Sequence, residues 1–187
     1  MTFHEIKHAA REAAKARRKA ARAAHPDAAR EAMAVFLDSV SLGAGDVVSG
    51  YRPIFSELDP TPLMVALHNR GVHLCVPVIV AAEHPLVFRA WTPDSPMETG
   101  AFGAEIPVDA TEVTPTVLIA PMLAYDRMLW RLGYGGGFYD RTLEGLRATG
   151  PVRAYGYAYA EQEMAAVPIE PTDQPLDGIM TPGGFVG

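Results

Sequence analysis

The sequence predicts an α/β fold: a three-layer, open, mostly parallel sheet with helices on both faces, in a Rossmann-like arrangement. Apolar runs that read as strands alternate along the chain with helical segments, which is the pattern of parallel sheets. Residues 116–121 (TVLIAP) form a continuous apolar run, as expected of a strand buried on both faces. The 187 residues are 49% hydrophobic and show no internal repeat or linker, so we predict a single domain over residues 1–187.

Two helices are predicted at the N-terminus. Residues 2–24 lack Gly and Pro and consist mainly of Ala, Arg, Lys and Glu, until the tripeptide HPD ends the run. Asp27 can cap a second helix that extends to about Val40. This second segment has an apolar stripe at helical spacing, formed by Ala29, Met33, Phe36, Leu37 and Val40.

The rest of the chain reads as strands interleaved with two more helices. A capped helix over residues 59–71 is closed by Gly71, and a helix over residues 138–150 ends near Gly150. Residues 92–103 (TPDSPMETGAFG) read as a loop. The other predicted strands are residues 46–54, 73–80, 86–91, 152–160 and 178–181.

Charge is distributed unevenly along the chain. The net charge is −6, yet residues 1–30 hold eight Lys or Arg against three Asp or Glu, and all three lysines (Lys7, Lys15 and Lys19) lie there. Such a basic helix is a solvated face, a nucleic-acid arm or an organellar presequence. The acidic remainder and the near absence of serine in the helix favour the solvated face.

Cysteine content and hydropathy bear on the compartment. The single cysteine, Cys75, has no partner for a disulfide and lies in an apolar run, so we expect it to be buried. No window approaches the roughly 20 apolar residues that span a bilayer, and the N-terminus lacks a signal-peptide core. We expect a cytoplasmic protein.

The segment RLGYGGGFYDRTL, residues 131–143, is the strongest candidate site. Its residues 133–137, the glycine loop, hold four glycines between a buried strand and a helix, where ligands collect in such folds. Glycines permit positive φ and a concave row of N–H groups, so the loop suits an anion, most plausibly phosphate. It is not a Walker loop, because it has no lysine, and Phe138 breaks the G-x-G-x-x-G pattern. Taken alone, it reads equally as a flexible turn.

Charged residues flank the glycine loop. Arg131 and Arg141 are permanent cations, and Asp140 lies at the start of the following helix. A carboxylate beside a phosphate site is explained by an intervening Mg²⁺, or simply by the preference of acids for helix N-termini. Spacing alone leaves both explanations open.

The string RLGYGGGFYDR, preceded by IAPMLAYDRMLW, resembles the signature of the 5-formyltetrahydrofolate cyclo-ligase family. The resemblance extends over nearly the whole chain, through KHAAR, YRPIFSELD, GAFGAEIP and VPIEPTDQPLDGIMT in the family's order. It implies conversion of 5-formyltetrahydrofolate to 5,10-methenyltetrahydrofolate with ATP and Mg²⁺. It also implies that phosphorylation of the formyl oxygen precedes ring closure by N10.

The resemblance assigns roles to residues of this sequence. Lys7 and Arg11 would contact the nucleotide, and their i, i+4 spacing places them on one helix face; the other basic residues of that helix would remain solvated. Lys7, Arg131 and Asp140 would act in catalysis. The ATP-binding stretch would comprise Arg131, Leu132, Gly133, Tyr134, Gly135, Gly136, Gly137, Phe138 and Tyr139.

The remaining assignments concern the metal and the folate. Asp140 and Asp173 would bind Mg²⁺, and Glu57 would contact the pterin, whose 2-amino-pyrimidinone edge offers paired donors to a carboxylate. Tyr139 would also face the folate. Trp91, Phe102, Phe138 and Tyr139 are candidates for aromatic walls against the flat ring, with the protein core as the alternative place for each; Tyr139, inside the motif, is the favoured one.

The sequence departs from the family at two places. Ile106 stands where the family usually has Glu, with Glu105 one place earlier, and Phe138 replaces a tyrosine. Two other functions stay open: a relative that acts on another formamide or amide, and a non-catalytic nucleotide- or RNA-binding module. For the leading hypothesis we expect a reduced folate and ATP as the small-molecule partners, with neither nucleic acid nor membrane, and a monomer, with a weak homo-oligomer left open.

Overall fold

The structure, a computed structural model, describes residues 2–187. The α-helices are α1 (Phe3–Ala24), α2 (Ala28–Ser39), α3 (Thr61–His68) and α4 (Phe138–Thr149). The strands are β1 (Val47–Ser49), β2 (His73–Val78), β3 (Val87–Trp91), β4 (Met97–Thr99), β5 (Glu105–Pro107), β6 (Val117–Ala120), β7 (Ala124–Tyr125), β8 (Arg131–Leu132), β9 (Arg153–Tyr157), β10 (Gly178–Thr181) and β11 (Gly184–Val186).

A seven-stranded sheet in the order β11-β10-β9-β6-β1-β2-β3 forms the centre of the fold. Its five inner strands pair in parallel, and the edge strands β3 and β11 are antiparallel to their neighbours. The prediction of a mostly parallel sheet is confirmed.

Strand β6 shows why both faces of the sheet must be covered. Its four residues are fully buried and alternate between two apolar clusters. Val117 and Ile119 pack in the cluster that contains residues of α2 and α3, whereas Leu118 and Ala120 pack in the cluster that contains Leu143 of α4. Helices therefore lie on both faces, as predicted.

Several local predictions are confirmed and others are wrong. Gly71 closes α3 with a φ of +77°, and Cys75 is fully buried. Asp27 does occupy the N-cap of α2, but its φ of −95° and ψ of −1° are helical, and its side chain makes no capping bond. The segment predicted as a loop contains strand β4, which pairs with β5.

Helix α1 begins with a capping box between Thr2 and Glu5. Its buried residues are Lys7, Ala14, Arg18 and Ala21, so small and cationic side chains, rather than large apolar ones, dock it on the fold. Arg18 is 1% exposed, so the prediction of a solvated face is wrong for this residue. None of the described helices meets the length and apolarity that a membrane span requires.

The topology creates a crevice at one edge of the sheet. From β1 the chain continues to its neighbour β2 on one side, whereas β6 continues to β9 on the other. The loops that leave the carboxyl ends of β1 and β6 therefore diverge. In open α/β sheets, ligands bind at this switch point.

Candidate active site

A cavity of about 890 Å³ lies at the switch point. Its walls come from the segments that follow β1, β2 and β6, from the glycine loop, from the start of α4 and from one face of α1. The volume is within the range of small-molecule sites. The cavity brings together Lys7, Arg11, Glu57, residues 131–141 and Asp173, which the sequence predicted as site residues.

Two arginines hold the glycine loop by its carbonyl groups. Arg11 Nε donates to the Gly133 carbonyl at 3.0 Å, and Arg141 Nη2 donates to the Gly136 carbonyl. Within residues 2–187, no hydrogen-bond acceptor is assigned to the backbone N–H groups of residues 133–137. The loop therefore offers donors at the N-terminus of α4, which is the arrangement that binds anions.

Glycine is required at two loop positions. Gly135 has a φ of +103° and Gly137 has a φ of +66°, where side chains are rarely accommodated. A Cβ at Gly135 would lie 3.2 Å from the ζ carbon of Arg11, and one at Gly137 would lie 2.6 Å from Nη1 of Arg141. The absence of side chains is what lets the arginines approach the loop.

Arg131 lies beneath the loop and is 8% exposed. Its Nη2 is 2.9 Å from Asp140 Oδ1, yet neither Nη2 nor Nε makes a hydrogen bond within the described residues, so the ion pair is too bent to satisfy the donors. The guanidinium stacks 5.3 Å from the ring centre of Tyr139. Unsatisfied buried donors of a permanent cation are well suited to an anionic ligand.

The hydroxyl of Tyr139 is also buried without a partner in the described part of the chain. Burial, together with the negative charge of Glu57, raises the pKa of Tyr139 above its usual range. The group is therefore a neutral donor, pointing at the same cavity as Glu57.

Asp140 and Asp173 are held on one side of the cavity by cations and backbone donors. Asp140 Oδ1 accepts from the Gln174 N–H at 3.0 Å. Asp173 Oδ2 lies 3.0 Å from Lys7 Nζ, which also contacts Glu170 Oε2 at 2.7 Å. The second oxygen of each aspartate has no assigned partner among residues 2–187.

Glu57 also lines the cavity, from the loop that follows β1, and is 5% exposed. Its Oε2 accepts from the Ile54 N–H at 2.8 Å. Burial raises the pKa of Glu57 from 4.5 to about 7, although the Ile54 bond, the Arg18 cation and the Tyr134 hydroxyl oppose the rise. A buried carboxylate with few partners gains most from a ligand that donates hydrogen bonds.

Aromatic side chains stand at the rim of the cavity. Phe55 and Phe102 are 72% and 69% exposed, and both have left-handed backbones, with φ of 54° and 55°. Exposed apolar rings on strained backbone are typical of ligand sites. Phe102, Phe138 and Tyr139 line the cavity, but Trp91 does not: the prediction of a wall at Trp91 is wrong because this ring packs in the core.

Leu132 and Glu105, which the sequence analysis also named, both belong to the cavity lining. The side chain of Leu132 is 2% exposed and packs in the small cluster with Ala14 and Leu123, so its contribution to the cavity is mainly its backbone. Glu105 lies on the cavity wall and pairs with Arg52 at 2.8 Å.

Sequence reasoning missed Arg18, Phe55 and Arg52. Arg18 donates to Ser56 Oγ, to the Met122 carbonyl and to the Tyr134 hydroxyl. The signal was present, since Arg18 lies seven residues after Arg11 and therefore shares its helix face. No comparable spacing in the sequence indicated that Phe55 or Arg52 lies at the site.

The fold and the cavity define an α/β protein with a glycine loop of unpaired backbone donors at its switch point. The model of the 5-formyltetrahydrofolate cyclo-ligase family matches residues 4–182. The chain belongs to this family of ATP-dependent ligases, which confirms the resemblance read from the glycine loop.

Relatives and solved structures agree with this assignment. The chain is 37% identical over 138 residues to 5-formyltetrahydrofolate cyclo-ligase of Escherichia coli (strain K12), covering 67% of this chain and 72% of the relative. It is 31% identical over 169 residues to the enzyme of that name from Mycolicibacterium smegmatis, covering 84% and 86%.

Two solved structures have a similar fold. The 5,10-methenyltetrahydrofolate synthetase of Aquifex aeolicus superimposes with a TM-score of 0.74 at 25% identity, over 96% of this chain and 91% of that one. The enzyme of that name from Mycoplasma pneumoniae superimposes with a TM-score of 0.72 at 18% identity, over 94% and 98%, which shows the fold alone.

Proposed function

We propose that this protein converts 5-formyltetrahydrofolate to 5,10-methenyltetrahydrofolate, with hydrolysis of ATP to ADP and phosphate. One observation carries the proposal: a single cavity is lined both by unpaired backbone donors with cations and by a buried carboxylate, Glu57. A phosphate donor and a pterin ring need these two environments side by side.

The nucleotide side is the glycine loop with its basic neighbours. The N–H groups of residues 133–137 and of the first turn of α4 are available to the polyphosphate, and Arg131 has unsatisfied donors beneath them. Lys7 and Arg11 approach from α1. Phosphoryl transfer asks a protein mainly for positioning and for neutralisation of charge, which these groups supply.

The residues present fit a magnesium ion. Within the described residues there is no group of three acidic, His or Cys side chains that could hold a metal alone. Mg²⁺ is, however, usually bound by one or two carboxylates and by the phosphates of the nucleotide. Asp140 and Asp173 each keep one oxygen without an assigned partner among residues 2–187, so they would hold the ion. The ion would neutralise charge on the transferring phosphoryl group.

The folate side is organised by Glu57. Its carboxylate can accept two hydrogen bonds from the ring N–H and the 2-amino group of a pterin. Phe102 and Tyr139 offer faces for the flat rings. A substrate that lacked the paired donors would leave the buried carboxylate unsatisfied, which explains selection of this ring.

The chemistry needs ATP because a formamide is a poor electrophile. The formyl oxygen takes the γ-phosphoryl group and ADP leaves, which makes the formyl carbon an iminium phosphate. N10 of the folate then attacks that carbon, the carbon–oxygen bond breaks to release phosphate, and N10 loses its proton. Arg131, the loop donors and Lys7 would stabilise the charge that develops on the phosphoryl oxygens.

The contacts of α1 argue against the RNA-binding alternative. Lys7 and Arg18 are buried, and the half-buried Arg11 donates to the Gly133 carbonyl, so these three cations contact the protein itself. A relative that acts on another formamide would keep the nucleotide side but would have no use for Glu57. A single domain over residues 1–187, a cytoplasmic location and a monomeric state stay predictions.

The test is an absorbance assay. Purified protein with 5-formyltetrahydrofolate, Mg²⁺ and ATP should develop the near-ultraviolet absorbance of the methenyl product, and should not do so without ATP. If ATP binds but no product absorbance develops, the proposal is wrong and the other formamide becomes the leading substrate. Tight RNA binding with a steep salt dependence would instead support the binding module.

A further inference from the structure

The buried guanidinium of Arg18 connects three segments of the chain that each contribute residues to the cavity. Its Nε donates to Ser56 Oγ at 3.1 Å, its Nη1 donates to the Met122 carbonyl at 2.9 Å, and its Nη2 donates to the hydroxyl of Tyr134. Ser56 belongs to the loop after β1, Met122 follows β6 by two residues, and Tyr134 belongs to the glycine loop. One side chain thus joins both sides of the switch point.

Arg18 also faces the carboxylate of Glu57 without binding it closely. The distance from Nη1 to Glu57 Oε1 is 3.9 Å, beyond hydrogen-bond range, although both side chains are almost fully buried. The carboxylate therefore keeps its acceptor capacity for a ligand, while the guanidinium supplies the positive charge that a buried carboxylate needs. A closer bidentate pair would have consumed the acceptors.

Tyr134 extends this arrangement to the glycine loop. The Arg18 guanidinium lies 5.3 Å from the ring centre of Tyr134 in addition to the hydrogen bond with its hydroxyl. Tyr134 in turn packs 6.1 Å from Phe55, which neighbours Ser56 in the loop after β1. The positions of Tyr134 and Glu57 are therefore linked through the same cation, whereas Gly133 and Gly136 of the glycine loop are held independently by Arg11 and Arg141.

We propose that Arg18 is a positioning residue that holds Glu57 for the folate ring and ties it, through Tyr134, to the glycine loop. The inference rests on the proposed function, because it takes Glu57 as the folate contact. Lysine cannot replace the residue fully, since a point charge cannot donate in three fixed directions.

The experiment compares Arg18→Lys with Arg17→Lys. Arg17 is the neighbouring arginine of α1 and is exposed, so it is a matched control. We expect Arg18→Lys to raise the KM for 5-formyltetrahydrofolate about 10-fold and to leave the KM for ATP within about 3-fold, with Arg17→Lys unchanged in both. In a Glu57→Gln background, Arg18→Lys should change the KM for the folate less than about 2-fold, because the residue acts through Glu57.

Other results would overturn the inference. Equal increases in both KM values, or a full effect of Arg18→Lys in the Glu57→Gln background, would make Arg18 a purely structural residue. If Arg18→Lys does not fold, Tyr134→Phe removes the hydroxyl that contacts both Arg18 and the Glu57 carboxylate, and it should raise the folate KM about 3-fold at an unchanged melting temperature; no change would contradict the link. Absence of product with the unaltered protein and with Arg17→Lys would refute the proposed function instead.

Discussion

Both faces of helix α1 carry basic residues, but the inner face contacts the rest of the protein whereas the outer face is exposed to solvent. On the inner face, Lys7, Arg11 and Arg18 contact the 170–173 segment, the glycine loop and the loop after β1. On the outer face, Arg17 and Lys19 are exposed. Composition cannot separate the two sets, whereas the helical period can.

The comparison also explains why α1 is almost free of large apolar residues. Its inner face docks with alanines and with the stems and heads of long cations, so the contacts that hold the helix are also contacts of the cavity wall. Helices α2 and α3, by contrast, dock through an apolar cluster, and none of their residues lines the cavity. Changes on the inner face of α1 should therefore affect activity, and changes on the outer face should affect neither activity nor folding.

Replacing lysines on the two faces gives the largest expected contrast. Lys7→Met should lower kcat/KM by about 10²- to 10³-fold, because it removes a cation from the polyphosphate side of the cavity. Lys19→Met should stay within about 2-fold of the unaltered protein, since an exposed charge contributes little. Steady-state kinetics of methenyl product formation measures both. Equal losses would remove the distinction between the faces.

The metal side is tested by Asp140→Asn, which keeps an acceptor for the Gln174 N–H but removes the charge. Turnover at saturating ATP should fall about 100-fold and should require more Mg²⁺ for half-maximal rate. Thermal unfolding should change far less. A loss of stability that accounts for the loss of turnover would make Asp140 a structural aspartate.

Two glycines of the same region provide a second matched pair. Gly137→Ala places a side chain at a φ of +66° against Arg141, so it should cost about 1–2 kcal/mol of stability and raise the KM for ATP about 10-fold. Gly145 lies in α4 with open space around it, and Gly145→Ala should add about 0.5–1 kcal/mol without affecting activity. Denaturant titration together with kinetics separates the two outcomes.

The last expected effect is confined to stability and concerns the buried carboxylate of Glu57. Its folded pKa of about 7 lies above the ordinary 4.5, so the folded state holds the proton more tightly than the unfolded state. Its favourable contribution is complete below pH 4.5 and is lost as the pH rises to 7. Glu57→Gln should therefore match the unaltered protein at pH 4.5 and be more stable by up to about 3 kcal/mol at pH 8.

For this measurement, the other titratable or charged groups that face Glu57 must keep a constant charge over the pH range. Arg18 of α1, Tyr134 of the glycine loop, Tyr51 after β1 and Tyr139 of α4 all face it. The tyrosines stay neutral at pH 8 because burial raises their pKa values. A difference in unfolding free energy that does not vary with pH would show that Glu57 is not the titrating group.

Much of the fold follows from the sequence because its strongest signals are local. The apolar run at Val117–Ala120 and the Gly-free stretch of α1 each define an element without help from the rest of the chain. The two-residue strands β7 and β8 could not be predicted, since they exist only because the chain folds back on itself beside the glycine loop. The prediction that the side chain of Asp27 caps α2 is wrong, because a capping side chain needs an extended backbone that Asp27 does not adopt.

The candidate site was predictable where a motif is contiguous and not where it is assembled in space. Residues 131–141 were found together, and Lys7 and Arg11 followed from the family resemblance. The burial of Arg18 depends on loops that arrive from residues 56, 122 and 134, and arginine is usually exposed. In the sequence, the only signal that links Arg18 to the site is its helical spacing from Arg11.

The binding of the polyphosphate by the glycine loop is tested by a structure with a non-hydrolysable ATP analogue and Mg²⁺. We expect phosphate oxygens within hydrogen-bond distance of the N–H groups of residues 133–137, with Arg11 still on the Gly133 carbonyl and Lys19 in solvent. A polyphosphate bound away from the glycine loop and from the inner face of α1 would contradict it.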